Sequence, residues 1–128
     1  MTDLIDSKRL GESRGTGITV HAPAFTTTDA GHALIITSPR PILIATPTVH
    51  NLHASSEDAD WTLYVTDREI TDPDSPYWME RDSGTQAAES NDYIAPLTVG
   101  HRAVMLVITP TEAGTQSQGV EASLQVVV

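Results

Sequence analysis

Residues 103–108, with the sequence AVMLVI, and residues 120–128, VEASLQVVV, decide the fold class of this chain. In the second stretch apolar residues occupy every second position, the period expected of a β-strand with one buried face. The first stretch is apolar on both faces, as in a central strand. The segment between them, 109–119, is polar and contains Gly114 and Gly119. The two strands are therefore predicted to form a closing β-hairpin.

The rest of the chain repeats this pattern of short strands separated by turn residues. No long segment has a helical apolar period, and only residues 86–89 could form a helical turn. Seven or eight short strands at roughly regular spacing predict a single antiparallel all-β sandwich or barrel. Two prolines at 38–41 are expected to end one strand before the next begins. Further predicted strands are 18–22, 32–37, 42–45 and 61–66.

The length of 128 residues without cysteine predicts one domain with a core that needs no disulfide. Residues 1–17 contain Gly11, Gly15 and Gly17 and are interpreted as a flexible N-terminal arm. Residues 18–128 are assigned to the sandwich. Neither a secretory signal peptide nor a membrane-spanning segment is expected from the sequence.

The charge of the chain restricts its partners. The net charge is −10, from 17 acidic residues against 7 lysines and arginines. Nucleic acids and anionic membranes are therefore not expected partners, because both need a cationic surface. Lys8 is the only lysine. An acidic, lysine-poor composition is typical of salt-adapted proteins, and an ordinary acidic phage or bacterial protein is the open alternative.

An acidic segment, residues 67–76, contains the strongest candidate for a metal site. Calcium prefers six to eight oxygen ligands, and several carboxylates lie close together here. The spacing is not that of an EF-hand, so solvated charge on a loop is the competing interpretation. The candidate calcium ligands are Asp67, Glu69, Asp72 and Asp74.

The sequence contains no motif that names a reaction. His50 and His53 have an H-x-x-H spacing but no obvious third zinc ligand. Neither a nucleophile elbow nor a phosphate-binding loop is present. We therefore predict no catalytic residue, no cofactor and no enzymatic activity; a small metal-dependent enzyme built on the two histidines is an alternative hypothesis.

One aromatic cluster, Tyr77-Trp78-Met79, lies outside the clear strands. If it is exposed, it is a candidate binding surface for a protein or a sugar. If it is buried, it closes one end of the sandwich, and the flanking prolines favour this second interpretation.

The final part of the chain, residues 58–128, resembles immunoglobulin-like and fibronectin type III-like domains. The resemblance rests on residues 97–101, the two strands described first, the glycines between them and Trp61 in an alternating strand. It implies a β-sandwich, although the cysteine pair of true immunoglobulin domains is absent. A jelly roll would give a similar pattern.

In composition and architecture the chain also resembles the small decoration or cement proteins of tailed viruses. That resemblance implies a non-enzymatic virion protein, made in the host cytoplasm, that binds a capsid or other virion protein as a trimer or pentamer. The expected docking arm, residues 1–17, uses Lys8, Arg9 and Arg14 or adds a strand to a neighbour. Deleting it should therefore abolish particle binding and leave the fold intact. The alternative is a carbohydrate- or cell-surface-binding module that uses Tyr77, Trp78 and Tyr64.

Overall fold

The computed structural model describes residues 1–11, 17–54 and 56–128. Within these ranges the chain forms seven β-strands and no helix, which confirms the predicted all-β antiparallel fold. Residues 86–89, predicted as a helical turn, are the end of a strand and a turn. The strands are β1 (Asp3–Arg9), β2 (Gly17–Phe25), β3 (His32–His50), β4 (Ala59–Thr66), β5 (Met79–Gln86), β6 (Leu97–Pro110) and β7 (Val120–Val127).

The strands form one hydrogen-bonded sheet, in the order β2-β7-β3-β6-β4-β5, that folds over on itself at β3. β3 is 19 residues long and belongs to both layers of the sandwich. Its first half pairs with β6 on one side and with β1 on the other; from Ile44 onward β7 takes the place of β1. The pairing register shifts between Thr37 and Ile42.

The two prolines at 38–41 therefore do not end the strand, as predicted, but lie where it changes partner. Proline has no N–H to donate, and a β-bulge leaves positions outside the ladder where that loss is tolerated. Pro47 is tolerated for a related reason. Residues 46–50 pair with β7 alone, so every second N–H in this stretch faces away from a neighbouring strand.

The predicted hairpin between residues 103–108 and 120–128 is wrong. Both segments are strands, but β6 pairs with β3 and β4, whereas β7 pairs with β2 and β3. The central position predicted for residues 103–108 is confirmed by this pairing. The alternation of β7 identifies its buried face correctly but carries no information on which strand lies beside it.

One hydrophobic core fills the space between the two layers. β7 contributes every second residue from Val120 to Val126, and β4 contributes every second residue from Ala59 to Val65. A second, smaller cluster lies on the outer face of the β3–β6–β4 layer. It consists of Ala33, Ile35 and Met105, and it is covered by Tyr64, Trp78 and Val107.

The N-terminal segment differs from the flexible arm that the sequence analysis assigns to residues 1–17. Residues 3–9 form β1, which pairs in parallel with the first half of β3. Leu10 is 1% exposed and belongs to the main core, and Ile5 packs against it. The segment is ordered because β3 offers an unpaired edge here and the core has room for an apolar side chain.

Candidate ligand-binding groove

A groove lies between the edge strand β5 and the segment 92–97 that leads into β6. Its volume is about 310 Å³, which is the size of a site for one or two small rings. It contains aromatic, amide and carboxylate side chains together. The residues lining it are Trp61, Asp82, Gly84, Thr85, Gln86, Asp92, Tyr93, Ile94, Ala95 and Leu97.

Trp61 forms the floor of the groove. It lies on the inward face of β4 and is 7% exposed, so most of the indole belongs to the core. In the ladder it pairs with Gly84 of β5. A Cβ atom at that position would lie 2.8 Å from Nε1 of Trp61, so the indole occupies the space that a side chain would need.

The indole N–H of Trp61 has no hydrogen-bond acceptor among the described residues. Those residues also include no fully buried polar side-chain atom that lacks a partner. The indole nitrogen is therefore reached by solvent beside Gly84, and both Trp61 and Gly84 line the groove. A tryptophan that is otherwise buried usually satisfies its single donor, so this donor is available to a bound molecule.

The rim of the groove carries an exposed aromatic ring and two carboxylates. Tyr93 is 82% exposed, the highest exposure of any large apolar or aromatic side chain other than Met1 among the described residues. Asp82 and Asp92 also line the groove. Asp82 accepts one bond from the backbone N–H of Ser83 at 2.9 Å. The arrangement offers one donor at the floor and carboxylate acceptors at the rim.

Gln86, the last residue of β5, holds this rim in place. It is 1% exposed, and its amide makes four hydrogen bonds. Nε2 donates to the carbonyl oxygens of Val49 (2.8 Å) and Asp92 (3.0 Å). Oε1 accepts from the hydroxyl of Ser90 and the N–H of Asp92, both at 3.0 Å. The position of Asp92, and of Tyr93 beside it, thus depends on a buried side chain.

A second buried amide, Asn51, continues the same polar network. It is 0% exposed, and its Nδ2 lies 2.9 Å from the carbonyl oxygen of Glu57 and 3.1 Å from that of Gln86. Its Oδ1 accepts a bond from the hydroxyl of Ser56. Its backbone forms a bridge with Ser90. The two amides tie the loops at this end of the sandwich to β5.

The Gly84→Ala variant is expected to lower the free energy of unfolding by about 1–3 kcal/mol, because the new methyl group would overlap an indole ring that the core holds fixed. The change should appear as a lower urea midpoint with an unchanged m-value. Gly11→Ala is the control, since a Cβ there meets nothing within 4 Å. Equal midpoints for the two variants would contradict the close contact between Trp61 and β5.

The basic residues of the predicted docking arm are engaged within the chain where they are described. Nζ of Lys8 donates to the carbonyl oxygen of Thr19 at 3.1 Å. Arg9 forms an ion pair of 2.8 Å with Glu69. Arg14 lies outside the described residues. Lys8 and Arg9 therefore belong to a strand of the sandwich and not to a free arm.

The aromatic cluster of residues 77–79 covers the outer face of a layer and does not close an end of the sandwich. Trp78 is half-buried against the outer apolar cluster, and its Nε1 donates to the carbonyl oxygen of Asp72 at 2.9 Å. Tyr77 is half exposed, with the guanidinium of Arg68 3.8 Å from its ring centroid. A pocket of about 230 Å³ lies beside Trp78 and Tyr64.

The four candidate calcium ligands are not brought together. Glu69 pairs with Arg9, and the carboxylate of Asp74 accepts the backbone N–H of Thr2 at 3.0 Å. Asp72 accepts the N–H of Asp74, also at 3.0 Å. Asp67 lies 3.9 Å from His101. In the described parts of the chain no three histidine, aspartate or glutamate side chains are placed to hold a metal ion.

The histidines likewise form no metal or catalytic constellation. His50 ends β3 and His53 lies in the loop after it, and among the described residues neither belongs to a cluster of three or more side chains that could bind a metal ion. His32, at the start of β3, is half-buried; burial lowers the pKa of its imidazole, and the carboxylate of Asp3 acts in the opposite direction. Thr28 is its hydrogen-bonding neighbour.

Some solved structures are similar to this chain, whereas no known family is. No family model and no curated protein matches the chain. Among solved structures, it is similar to the pre-peptidase C-terminal domain of a collagenase from Bacillus anthracis, at 11% identity and a TM-score of 0.41. The similarity covers 95% of this chain and 93% of that domain. In the described ranges no helix is long and apolar enough to span a membrane.

Proposed function

We propose that this protein is a non-catalytic binding module that holds a neutral carbohydrate in the groove between Trp61 and Tyr93. The observation that carries the proposal is the indole N–H of Trp61, an unpaired and solvent-accessible donor on a side chain that is more than nine-tenths buried and lines the groove. A tryptophan that only stabilised the core would pack equally well with its N–H bonded to an acceptor inside the protein. The unpaired donor therefore favours a role in ligand binding.

The chemistry of the groove favours hydroxyl groups. A ligand must accept a hydrogen bond from the indole and donate to the carboxylates of Asp82 and Asp92. Ammonium and guanidinium groups only donate, so a simple cation would leave the indole unsatisfied. A hydroxyl both accepts and donates, and a sugar presents several of them on a rigid ring.

The exposed ring of Tyr93 supports the same ligand class. An aromatic ring at the rim of a site offers apolar area at low cost in conformational entropy, with a polar end that stays in water. The C–H face of a sugar ring can pack on such a surface while its hydroxyls reach the carboxylates. Tyr93 is placed for this by Gln86, which bonds the backbone of the preceding residue.

The virion role stays a prediction, and its docking segment needs revision. Lys8 and Arg9 are bonded to Thr19 and Glu69 of the same chain, so they belong to an ordered strand, and attachment to a particle through them would use only their remaining donors. Any attachment surface is better sought on the exposed faces of the sandwich.

The Trp61→Phe variant is expected to fold and to bind neutral oligosaccharide about five- to tenfold more weakly than the parent, because one hydrogen bond in a sheltered site contributes about 1–1.5 kcal/mol. Binding is measured by titrating a panel of hexasaccharides of glucose, xylose, mannose and N-acetylglucosamine into ¹⁵N-labelled protein. The chain has two tryptophans, so the indole region contains two N–H signals. The signal of Trp61 should shift on binding.

Trp78 provides the matched control. Its indole N–H is bonded to Asp72, so its signal should stay in place, and Trp78→Phe should bind as the parent does. A basic peptide, such as a hexamer of arginine, is titrated in parallel. The proposal is overturned if no hexasaccharide shifts the Trp61 signal, or if the peptide alone does so.

A further inference from the structure

The groove beside Trp61 lies on an open side of the sandwich. β5 is the edge of one layer, because it pairs with β4 alone. Residues 97–101, the start of β6, are the edge of the other layer, because they pair with β3 alone. In the described ranges no strand joins these two edges. A gap therefore remains between them, and the groove occupies it.

The two walls of the groove are tied together at one end. One wall runs from Asp82 to Gln86, and the other runs back from Asp92 to Leu97. Nε2 of Gln86 donates to the carbonyl oxygen of Asp92, and Oε1 of Gln86 accepts the N–H of Asp92, both at 3.0 Å. These two hydrogen bonds close the groove where the two walls meet.

The opposite end of the groove is also bridged. Arg81 immediately precedes the first wall, and Thr98 immediately follows the second. Nε of Arg81 donates to the carbonyl oxygen of Thr98 at 3.1 Å, so the arginine side chain crosses the gap between the two layer edges. The wall between the bridges is roughly 15 Å long at the rise of an extended strand. The groove is thus short and bounded at both ends.

We propose that the groove receives the end of a glycan chain and excludes its interior. This inference rests on the carbohydrate-binding function proposed above. A chain that lies along an open groove enters at one end and leaves at the other. Here both exits are spanned by side chains, so a bound sugar unit can be linked to the rest of its chain only across the open side. A terminal unit has one such link, whereas an interior unit has two and would force its chain to fold back on itself.

The polar groups of the groove fit a chain end. Asp82 and Asp92 line its two ends, beside the bridges made by Arg81 and Gln86. A terminal sugar unit has a free hydroxyl at the position where an interior unit carries its next glycosidic bond. That hydroxyl can donate to a carboxylate, and another on the same ring can accept from the indole N–H of Trp61.

Capped sugars test this inference. The hexasaccharides of glucose, xylose, mannose and N-acetylglucosamine are titrated in four forms: free, with a bulky cap at the reducing end, with one at the non-reducing end, and with both. We expect the doubly capped form to bind at least about tenfold more weakly than the free form. One singly capped form should share this loss, which identifies the end that binds. Disaccharides should bind within about threefold of the free hexasaccharides, since the outer units lie beyond the groove.

The Arg81→Ala variant opens one end of the groove. In this variant the hexasaccharide should bind about five- to tenfold more tightly than the disaccharide, because a further unit can extend past Thr98 and form about one more hydrogen bond. Arg102→Ala is the matched control, at an exposed position of β6 outside the groove, and should keep the parent's ratio of affinities. Circular dichroism and thermal melting check that both variants are folded.

The outcomes separate this inference from the carbohydrate-binding function itself. If a doubly capped hexasaccharide shifts the Trp61 signal and binds as tightly as the free form, chain-end binding is overturned and the carbohydrate function stands. An affinity that already rises from disaccharide to hexasaccharide in the parent overturns it in the same way. If no sugar in any form shifts the signal, both proposals are wrong.

Discussion

The Gln86→Leu variant is expected to lose about 2–4 kcal/mol of unfolding free energy, although leucine is similar in size and more apolar than glutamine. The substitution removes four hydrogen bonds from a side chain that is 1% exposed. It leaves the carbonyl of the buried Val49 without this partner and releases both backbone groups of Asp92, and an unpaired buried polar group is costly. Urea unfolding followed by circular dichroism measures the loss.

Gln118→Leu is the matched control, because Gln118 is exposed in the loop before β7. Its effect should stay within about 0.5 kcal/mol, as for ordinary surface changes. Gln86→Leu should also weaken oligosaccharide binding, because the rim around Asp92 and Tyr93 loses its support. A Gln86→Leu protein as stable as the parent would show that the amide network is dispensable.

Deletion of residues 1–11 is expected to destabilise the fold by about 3 kcal/mol or more, whereas the sequence alone predicts that the fold survives deletion of residues 1–17. The truncation removes Leu10 from the core, and burial of a leucine contributes about 1.5–3 kcal/mol. It also strips β1 from β3, so the apolar edge of residues 32–37 becomes open to other chains. Thermal unfolding and light scattering measure the two consequences.

Two point substitutions separate the contribution of the core from that of the strand. Leu10→Ala should reproduce most of the loss, since deleting buried methyl groups costs about 2–5 kcal/mol. Leu4→Ala, at a side chain 41% exposed, should cost less than about 1 kcal/mol. If the truncated protein kept the parent's melting temperature, the N-terminal residues would behave as the flexible arm that the sequence predicts.

The sequence predicts local structure well in this protein and strand pairing poorly. β4 and β7 show the alternation of a half-buried strand, and the doubly apolar segment of β6 is central. A period of two reports which face is buried, and any strand with a complementary face can lie beside it. β6 and β7 are neighbours along the chain, yet β3 lies between them in the sheet.

The candidate groove was beyond the reach of sequence for the same reason. Trp61 fits the buried tryptophan of a sandwich, and only its register opposite Gly84 leaves the indole N–H near the surface. Tyr93 is brought to the same place by Gln86, through hydrogen bonds that no pattern encodes. Conversely, the acidic segment 67–76 is conspicuous in sequence, but its carboxylates serve as partners for Thr2, Arg9 and its own turns.

The sharing of β3 between the two layers also bears on how the chain reaches its fold. A layer that lacks this strand has lost its central partner, so neither layer is a cooperative unit by itself. The partners of β3 come from β1 at the start of the chain and from β6 and β7 near its end. Folding must therefore close large loops before β3 can form all of its hydrogen bonds. Such long-range pairing is typical of slow, all-or-none transitions.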